Sequence, residues 1–248
     1  MEKYRATMRN VIVTGGSRGL GLAICTRLSA AGFRVIAVAR NESPELSSVS
    51  REAPSDGLHF EAFDLGNIEA MPEFVRKLRK QHGPIYGLVN NAGIGTVGLL
   101  AVMPLEQIEH LIRINTLSPI ALTRQVIRSM FSGGEGRIVN MSSIIASTGY
   151  SALSVYAATK ASMIGFTKSL AREVGKAGVT VNAVSPGFVE TAMTEGLSEE
   201  KRQQIAKRSA LQRLATAEDV ARAVEFLMGE GGRNITGTVL TVDAGNTA

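Results

Sequence analysis

The sequence predicts an α/β fold, a seven-stranded parallel sheet with helices on both faces, in a single domain. Three observations predict it. Seven short β-branched runs occur, at 11–14, 35–38, 58–63, 85–89, 137–141, 179–184 and 238–242. Longer stretches with apolar residues at helical spacing lie between them, at 20–31, 68–81, 105–130, 155–176 and 217–228. The strand runs are apolar along their length, as strands covered on both faces are, and strands separated by helical crossovers pair in parallel.

The first run, Val11-Ile12-Val13-Thr14, leads into Gly15-Gly16-Ser17-Arg18-Gly19-Leu20-Gly21, which opens the first helix. Glycines at such a junction permit a tight turn and let the backbone approach a diphosphate, at which the helix N–H groups point. The strand–turn–helix setting makes Gly15, Ser17, Arg18, Gly19, Leu20 and Gly21 candidate dinucleotide contacts, as in a Rossmann fold. Gly32 stops the first helix. The second strand ends in Val38-Ala39-Arg40-Asn41. Sites for NAD usually place an acid there for the ribose 2′-hydroxyl, but none occurs before Glu42. Arg40 takes that place and Arg18 lies in the loop, and guanidinium groups suit a 2′-phosphate. One such pair at ~4 Å gains on the order of 4 kcal/mol before desolvation. The predicted cofactor is NADPH/NADP+.

The Ser-rich stretch 43–55 reads as a connection with about one helical turn, and the third strand ends at Asp64-Leu65. The helix over 68–81 closes on Arg76-Lys77-Leu78-Arg79-Lys80, where cations favour a helix C-terminus. The fourth strand runs into Asn90-Asn91-Ala92-Gly93, and the stretch 105–130 reads as one helix carrying Asn115. Ser142 and Ser143 follow the fifth strand; Pro186-Gly187 follow the sixth. In the helix between them, Tyr156 and Lys160 stand at i and i+4, on one face and one turn apart. A free tyrosine has a pKa near 10, and an adjacent ammonium favours the phenolate. Bringing a phenol toward neutrality takes about 4 kcal/mol of differential stabilisation, which a dry, charge-lined cleft supplies. The stretch 191–209 mixes small and charged residues, with a helix start at Ser198-Glu199-Glu200.

Composition narrows the classes. A chain of 248 residues, 44% hydrophobic and 20% charged, buries roughly 70% of its surface and builds one core rather than staying disordered. Cys25 is the single cysteine, which excludes a disulfide framework and suits a reducing compartment. No apolar run approaches the ~18 residues that span a bilayer, and residues 1–10 are too polar for a secretory signal. A cytoplasmic location without membrane contact is expected. The net charge of +5 is spread over the chain, and no aromatic residue interleaves with the basic cluster at 76–80, so no nucleic-acid partner is predicted. His59, His82 and His110 show no metal spacing, and no metal site is expected.

Taken in order, the glycine loop, Asn90-Asn91-Ala92-Gly93, Asn115, Ser143, Tyr156-Ala157-Ala158-Thr159-Lys160 and Pro186-Gly187 resemble the short-chain dehydrogenase/reductase family. The resemblance covers essentially the whole length. It implies a nucleotide-binding half at about 9–141 and a catalytic and substrate half at about 142–248, with 191–209 covering the substrate. It implies that Tyr156 protonates a carbonyl oxygen, that Ser143 rather than Ser142 orients that oxygen, and that Lys160 holds the nicotinamide ribose. Asn115 would hold a water linking Lys160 to solvent. For the cofactor it implies contacts from Asp64 and Leu65 to adenine, from Asn91, Ala92 and Gly93 to the adenosine ribose, and from Pro186, Gly187, Val189 and Thr191 to the nicotinamide end. Asn90 would brace the sheet.

Gly187-Phe188-Val189-Glu190-Thr191-Ala192-Met193-Thr194 and Ile235-Thr236-Gly237 are most similar to the 3-oxoacyl-acyl carrier protein reductases. That similarity implies reduction of a 3-oxoacyl thioester to the 3-hydroxyacyl thioester in fatty-acid synthesis, with an acidic acyl carrier protein as a partner that a basic surface would steer. The chain departs from that pattern at Gly95-Thr96-Val97, where a Thr-Arg-Asp type segment is usual. Ser132, Gly133 and Ala177 are uncharged where docking arginines would fall, and Ala244 replaces a common glycine. The alternatives are an NADPH-dependent carbonyl reductase acting on a free small ketone, and a dinucleotide-sensing protein without turnover. The complete Ser/Tyr/Lys/Asn set argues against the sensor. A homotetramer is also implied, with the helices that follow Leu105 and Val155 between subunits.

Overall fold

Valine, isoleucine and leucine runs form seven strands: β1 (Asn10–Thr14), β2 (Arg34–Ala39), β3 (Leu58–Ala62), β4 (Ile85–Asn90), β5 (Gly136–Met141), β6 (Val179–Pro186) and β7 (Val239–Val242). The computed structural model describes residues 8–54, 56–189 and 198–248. The strands make one parallel sheet in the order β3-β2-β1-β4-β5-β6-β7. After β3 the chain returns to the far side of β1, so the order reverses between β1 and β4. The crevice at the carboxyl ends of the strands at such a reversal is where open α/β sheets bind ligands.

Alternate residues of each strand serve opposite faces. Val11 and Val13 join Ile24, Leu28, Val224 and Leu227 in one core, under helices α1 (Gly19–Ala30) and α9 (Ala217–Met228). Ile12 joins Phe74, Leu78, Leu122 and Leu170 in the other, under α3 (Met71–His82), α5 (Ser118–Gly133) and α7 (Ser154–Val174). Each such side chain contributes about 2 kcal/mol on burial. The central strands β1, β4, β5 and β6 are buried throughout, whereas β7, at the edge, is only partly covered.

The structure differs from the sequence reading in three elements. The stretch expected to hold one turn contains a nine-residue helix, α2 (Pro44–Glu52), started by Ser43, whose hydroxyl accepts from Leu46 N at 3.1 Å, and by Pro44 in its first turn. Leu46 is fully buried beneath it. The helix expected over 105–130 divides into α4 (Leu105–Ile112) and α5, joined by a π-helical turn at Arg113–Leu117. A short helix, α6 (Ile145–Thr148), follows β5, and α8 (Glu199–Arg208) starts where expected, with Ser198 accepting from Lys201 N at 3.3 Å. Among the described residues no helix is long and apolar enough to cross a membrane, and no group of three metal-ligating side chains converges.

Candidate active site

Thr14 ends β1 with its hydroxyl turned toward β4. Its Oγ1 accepts from Asn91 N and Ala92 N, both at 3.0 Å, and Asn91 Nδ2 donates to Thr14 O at 2.8 Å. These bonds hold the β4 exit against the glycine loop. Gly15 takes a left-handed φ of +66° and donates to Val38 O at 2.8 Å, which folds the loop back over β2. At Gly21 a Cβ would run into the Gly15 carbonyl, so only glycine lets α1 start this close to the strand. Arg18 is the N-cap of α1 and provides no side-chain cap, leaving the first N–H groups of the helix aimed into the groove.

That groove, about 460 Å³, runs from Gly15, Arg18, Gly19, Leu20 and Gly21 past Asn91, Ala92 and Gly93 to Ser143, Tyr156 and Lys160, with Pro186, Gly187 and Val189 on its far wall. Most of the expected cofactor residues thus share one surface. Ser17, Arg40, Asp64 and Leu65 do not line it. Arg40 is exposed just beyond β2; Asp64 Oδ1 accepts from Gly66 N at 2.9 Å; Leu65 O accepts from Ser118 Oγ at 2.8 Å. Thr191 and the first part of the expected 191–209 cover lie outside the described residues. Asn90 is turned away from the groove, donating to Thr123 Oγ1 at 3.0 Å and Asn140 Oδ1 at 2.8 Å, and so ties β4 to β5 and α5.

Three elements converge at the reacting end. Ser143 follows β5, and its Oγ accepts from Ile145 N at 3.3 Å. Ser142 is spent elsewhere: its hydroxyl donates to Lys160 O at 2.9 Å. Lys160 is buried, donates to Met141 O at 3.0 Å, and lies 5.8 Å from the Tyr156 ring centre. Burial brings its pKa down to about 8. Burial also raises the Tyr156 pKa, against a lowering hydrogen bond from Ser143. The expected depression of the phenol by the ammonium is therefore reversed in the protein alone, because desolvation outweighs the neighbouring groups.

Asn115 reaches the site from the π turn. Its Nδ2 donates to Ile94 O at 2.8 Å and Thr159 Oγ1 at 3.2 Å, and its Oδ1 accepts from Ile94 N at 2.9 Å, leaving one lone pair on that oxygen. A Cβ on Gly93 would stand 3.3 Å from Lys160 Nζ and 3.4 Å from Asn115 Oδ1. Glycine here keeps the space between these two polar atoms open.

A second cavity of about 320 Å³ meets the groove at Gly95, Ser143, Tyr156 and Gly187. Its other walls are mainly apolar and include Val97, Ile144, Ile145, Tyr150 and Phe188. The sequence reading singles out none of these five for the site. Phe188, next to Gly187, is the one that local sequence could have marked; the others reach the cavity from α6 and from loops. The two hydroxyls of Ser143 and Tyr156 therefore stand on the boundary between a dinucleotide-shaped groove and an apolar pocket.

A family model for short chain dehydrogenase matches residues 9–202. The chain is 40% identical over 235 residues to the 3-oxoacyl-[acyl-carrier-protein] reductase FabG of Escherichia coli (strain K12), covering 94% of this chain and 95% of that protein. It is 37% identical over 240 residues to the acetoacetyl-CoA reductase of Allochromatium vinosum, covering 96% and 98%. Among solved structures, a doubly substituted mutant of a Serratia marcescens short-chain dehydrogenase/reductase superposes with a TM-score of 0.89 at 30% identity, over 97% of this chain and 98% of that one. The Cj0485 dehydrogenase superposes with a TM-score of 0.91 at 27% identity, over 98% and 95%.

Proposed function

The chain belongs to the short chain dehydrogenase family and is an oxidoreductase, and from that premise we propose that it reduces a 3-oxoacyl thioester to the 3-hydroxyacyl thioester with NADPH. The observation that carries this reading is the boundary position of Ser143 and Tyr156, each open to the groove on one side and the apolar pocket on the other. The relatives named for 3-oxoacyl-carrier-protein and acetoacetyl-CoA reduction support a thioester substrate.

The groove fits a dinucleotide: Gly21 lets α1 start close against the Gly15 turn, and the uncapped start of α1 suits a diphosphate. Bound NADPH supplies a hydride. Tyr156 gives its phenolic proton to the ketone oxygen, so that hydride on carbon and proton on oxygen complete a two-electron reduction to the alcohol. Ser143 donates to the same oxygen and holds it in place. Because burial keeps the phenol protonated at neutral pH, Tyr156 is ready to act as the acid. Lys160, with a pKa of about 8, would hold the nicotinamide ribose and return a proton to Tyr156. The space beside Gly93, next to Lys160 Nζ and Asn115 Oδ1, would take a water connecting that proton to solvent. Asp64, Leu65 and the Asn91-Ala92-Gly93 backbone are assigned to the adenosine, and Pro186, Gly187, Val189 and Thr191 to the nicotinamide.

The preference for the phosphorylated cofactor rests on Arg18 and Arg40. Neither has an ion-pair partner among the described residues, and no acid stands at the end of β2. The net charge of +5 suits an acidic acyl carrier protein as the donor of the thioester. A homotetramer is the proposed assembly. The test is the rate of NADPH and NADH oxidation with an acetoacetyl thioester beside a simple ketone. Turnover with the thioester and higher catalytic efficiency with NADPH are the expected results. Turnover of the ketone alone would make the protein a general carbonyl reductase, and tight NADPH binding without any turnover would make it a sensor.

A further inference from the structure

Beyond the apolar pocket lies a third cavity of about 560 Å³, roofed by α8. It shares Ile144, Ile145, Tyr150, Phe188 and Lys201 with the pocket at Ser143 and Tyr156, so the two adjoin. Tyr150 and Phe188 meet edge-on, ring centres 6.3 Å apart, where the cavities join. The floor is apolar, but the roof is not. Lys201, Gln204, Ile205 and Arg208 recur at three- and four-residue intervals on α8 and so present one face, with Lys207 beside them. Three cations therefore look into a cavity that no aspartate or glutamate lines among the described residues. None of the three forms an ion pair there.

We propose that this chamber binds a phosphate at the far end of the substrate, with the connecting arm passing Tyr150 and Phe188 and the keto group at Ser143 and Tyr156. The proposal rests on the reductase reading and gives that substrate a second point of recognition. The chemistry fits a thioester of phosphopantetheine: a long neutral arm for the apolar floor, and a phosphate for Lys201, Lys207 and Arg208. Two sources carry that group, a carrier protein and coenzyme A.

The experiment compares acetoacetyl thioesters of pantetheine, 4′-phosphopantetheine and coenzyme A at saturating NADPH. The phosphate is expected to lower KM roughly five- to tenfold against pantetheine with kcat unchanged, the sum of three partly exposed charge contacts. In the double variant Lys207→Gln/Arg208→Gln the KM ratio should fall toward one. Raising ionic strength should shrink the same ratio in the unaltered protein, a readout independent of whether the variant folds. Equal KM values for phosphopantetheine and coenzyme A support contact with the shared phosphate, and an advantage seen only with coenzyme A overturns it. A ratio near one in the unaltered protein overturns the proposal. So does a ratio that the double variant leaves intact while its melting point drops, because the cations would then serve only the C-terminus of α8. Absence of turnover with all three thioesters removes the reductase reading itself, and this inference with it.

Discussion

Tyr156 and Lys160 share one face of α7, and burial moves their proton affinities in opposite directions, the phenol up and the ammonium down. Their spacing is legible in the sequence because an i, i+4 pair is local. The sign of the shift is not, because Gly93 and the stretch 141–143, which surround them, arrive from two other segments. Lys160 carries a consequence for stability. In the unfolded chain it titrates near 10.5 and in the fold near 8, so between those values the unfolded state holds a proton that the native state has released. Stability therefore rises with pH through that window, and below about 8 the full cost of the buried ammonium remains. Replacing it by Met in Lys160→Met removes that cost, on the order of 3 kcal/mol, and leaves Met141 O unpaired, at about 1 kcal/mol. The variant should melt several degrees higher at pH 7, with the gap closing toward pH ~10; calorimetry across pH checks this, and a lower melting point throughout would contradict it. The adjacent serines separate in the same way. Ser143→Ala should lower kcat about 100-fold, whereas Ser142→Ala, which loses only the bond to Lys160 O, should keep kcat and cost about 1 kcal/mol of stability in denaturant titration.

Elements are legible where one pattern governs them. The strands of the sheet and helices α1, α3, α7 and α9 follow from apolar periodicity. The nine residues of α2 escape that reading because only Leu46 is buried, although Ser43 and Pro44 mark its start. The π turn at 113–117 escapes it for another reason: a one-residue widening hardly disturbs the apolar spacing of a long helix, yet it carries the amide of Asn115 to Ile94. Beyond β7 the chain turns on Ala244, held at a φ of +57° by Asp243, whose carboxylate accepts from Gly245 N and Thr247 N at 2.9 Å, and by Leu211 N on the Ala244 carbonyl at 3.0 Å. A side chain in the left-handed region costs about 1 kcal/mol. Ala244→Gly removes that strain and should raise stability by about 0.5 kcal/mol after the added freedom of the unfolded chain, seen as a higher urea midpoint. An unchanged or lower midpoint would mean that the turn carries no strain.

At the scale of the molecule, the reversal of strand order between β1 and β4 sets the cleft, and alternation of strands with helices is enough to anticipate the sheet. Of the apolar pocket and the chamber beside it, only the cover from 198–209 is anticipated; their other walls come from α6 and loops that lack a period. The surface likewise holds what periodicity does not separate from core. Val97, Leu99, Leu100, Val102 and Leu105 are all exposed within one short segment leading into α4, an apolar run that subunit contact would cover. The proposed homotetramer predicts the mass of four chains in light scattering, and a monomer at micromolar concentration would reject the assembly. The proposed reduction turns on proton delivery from one phenol at the meeting point of groove and pocket. The most direct measurement is the kcat of Tyr156→Phe for an acetoacetyl thioester, with NADPH binding followed separately by fluorescence. A fall of about 100- to 10,000-fold with cofactor binding retained is the predicted result; turnover equal to that of the unaltered protein would contradict it.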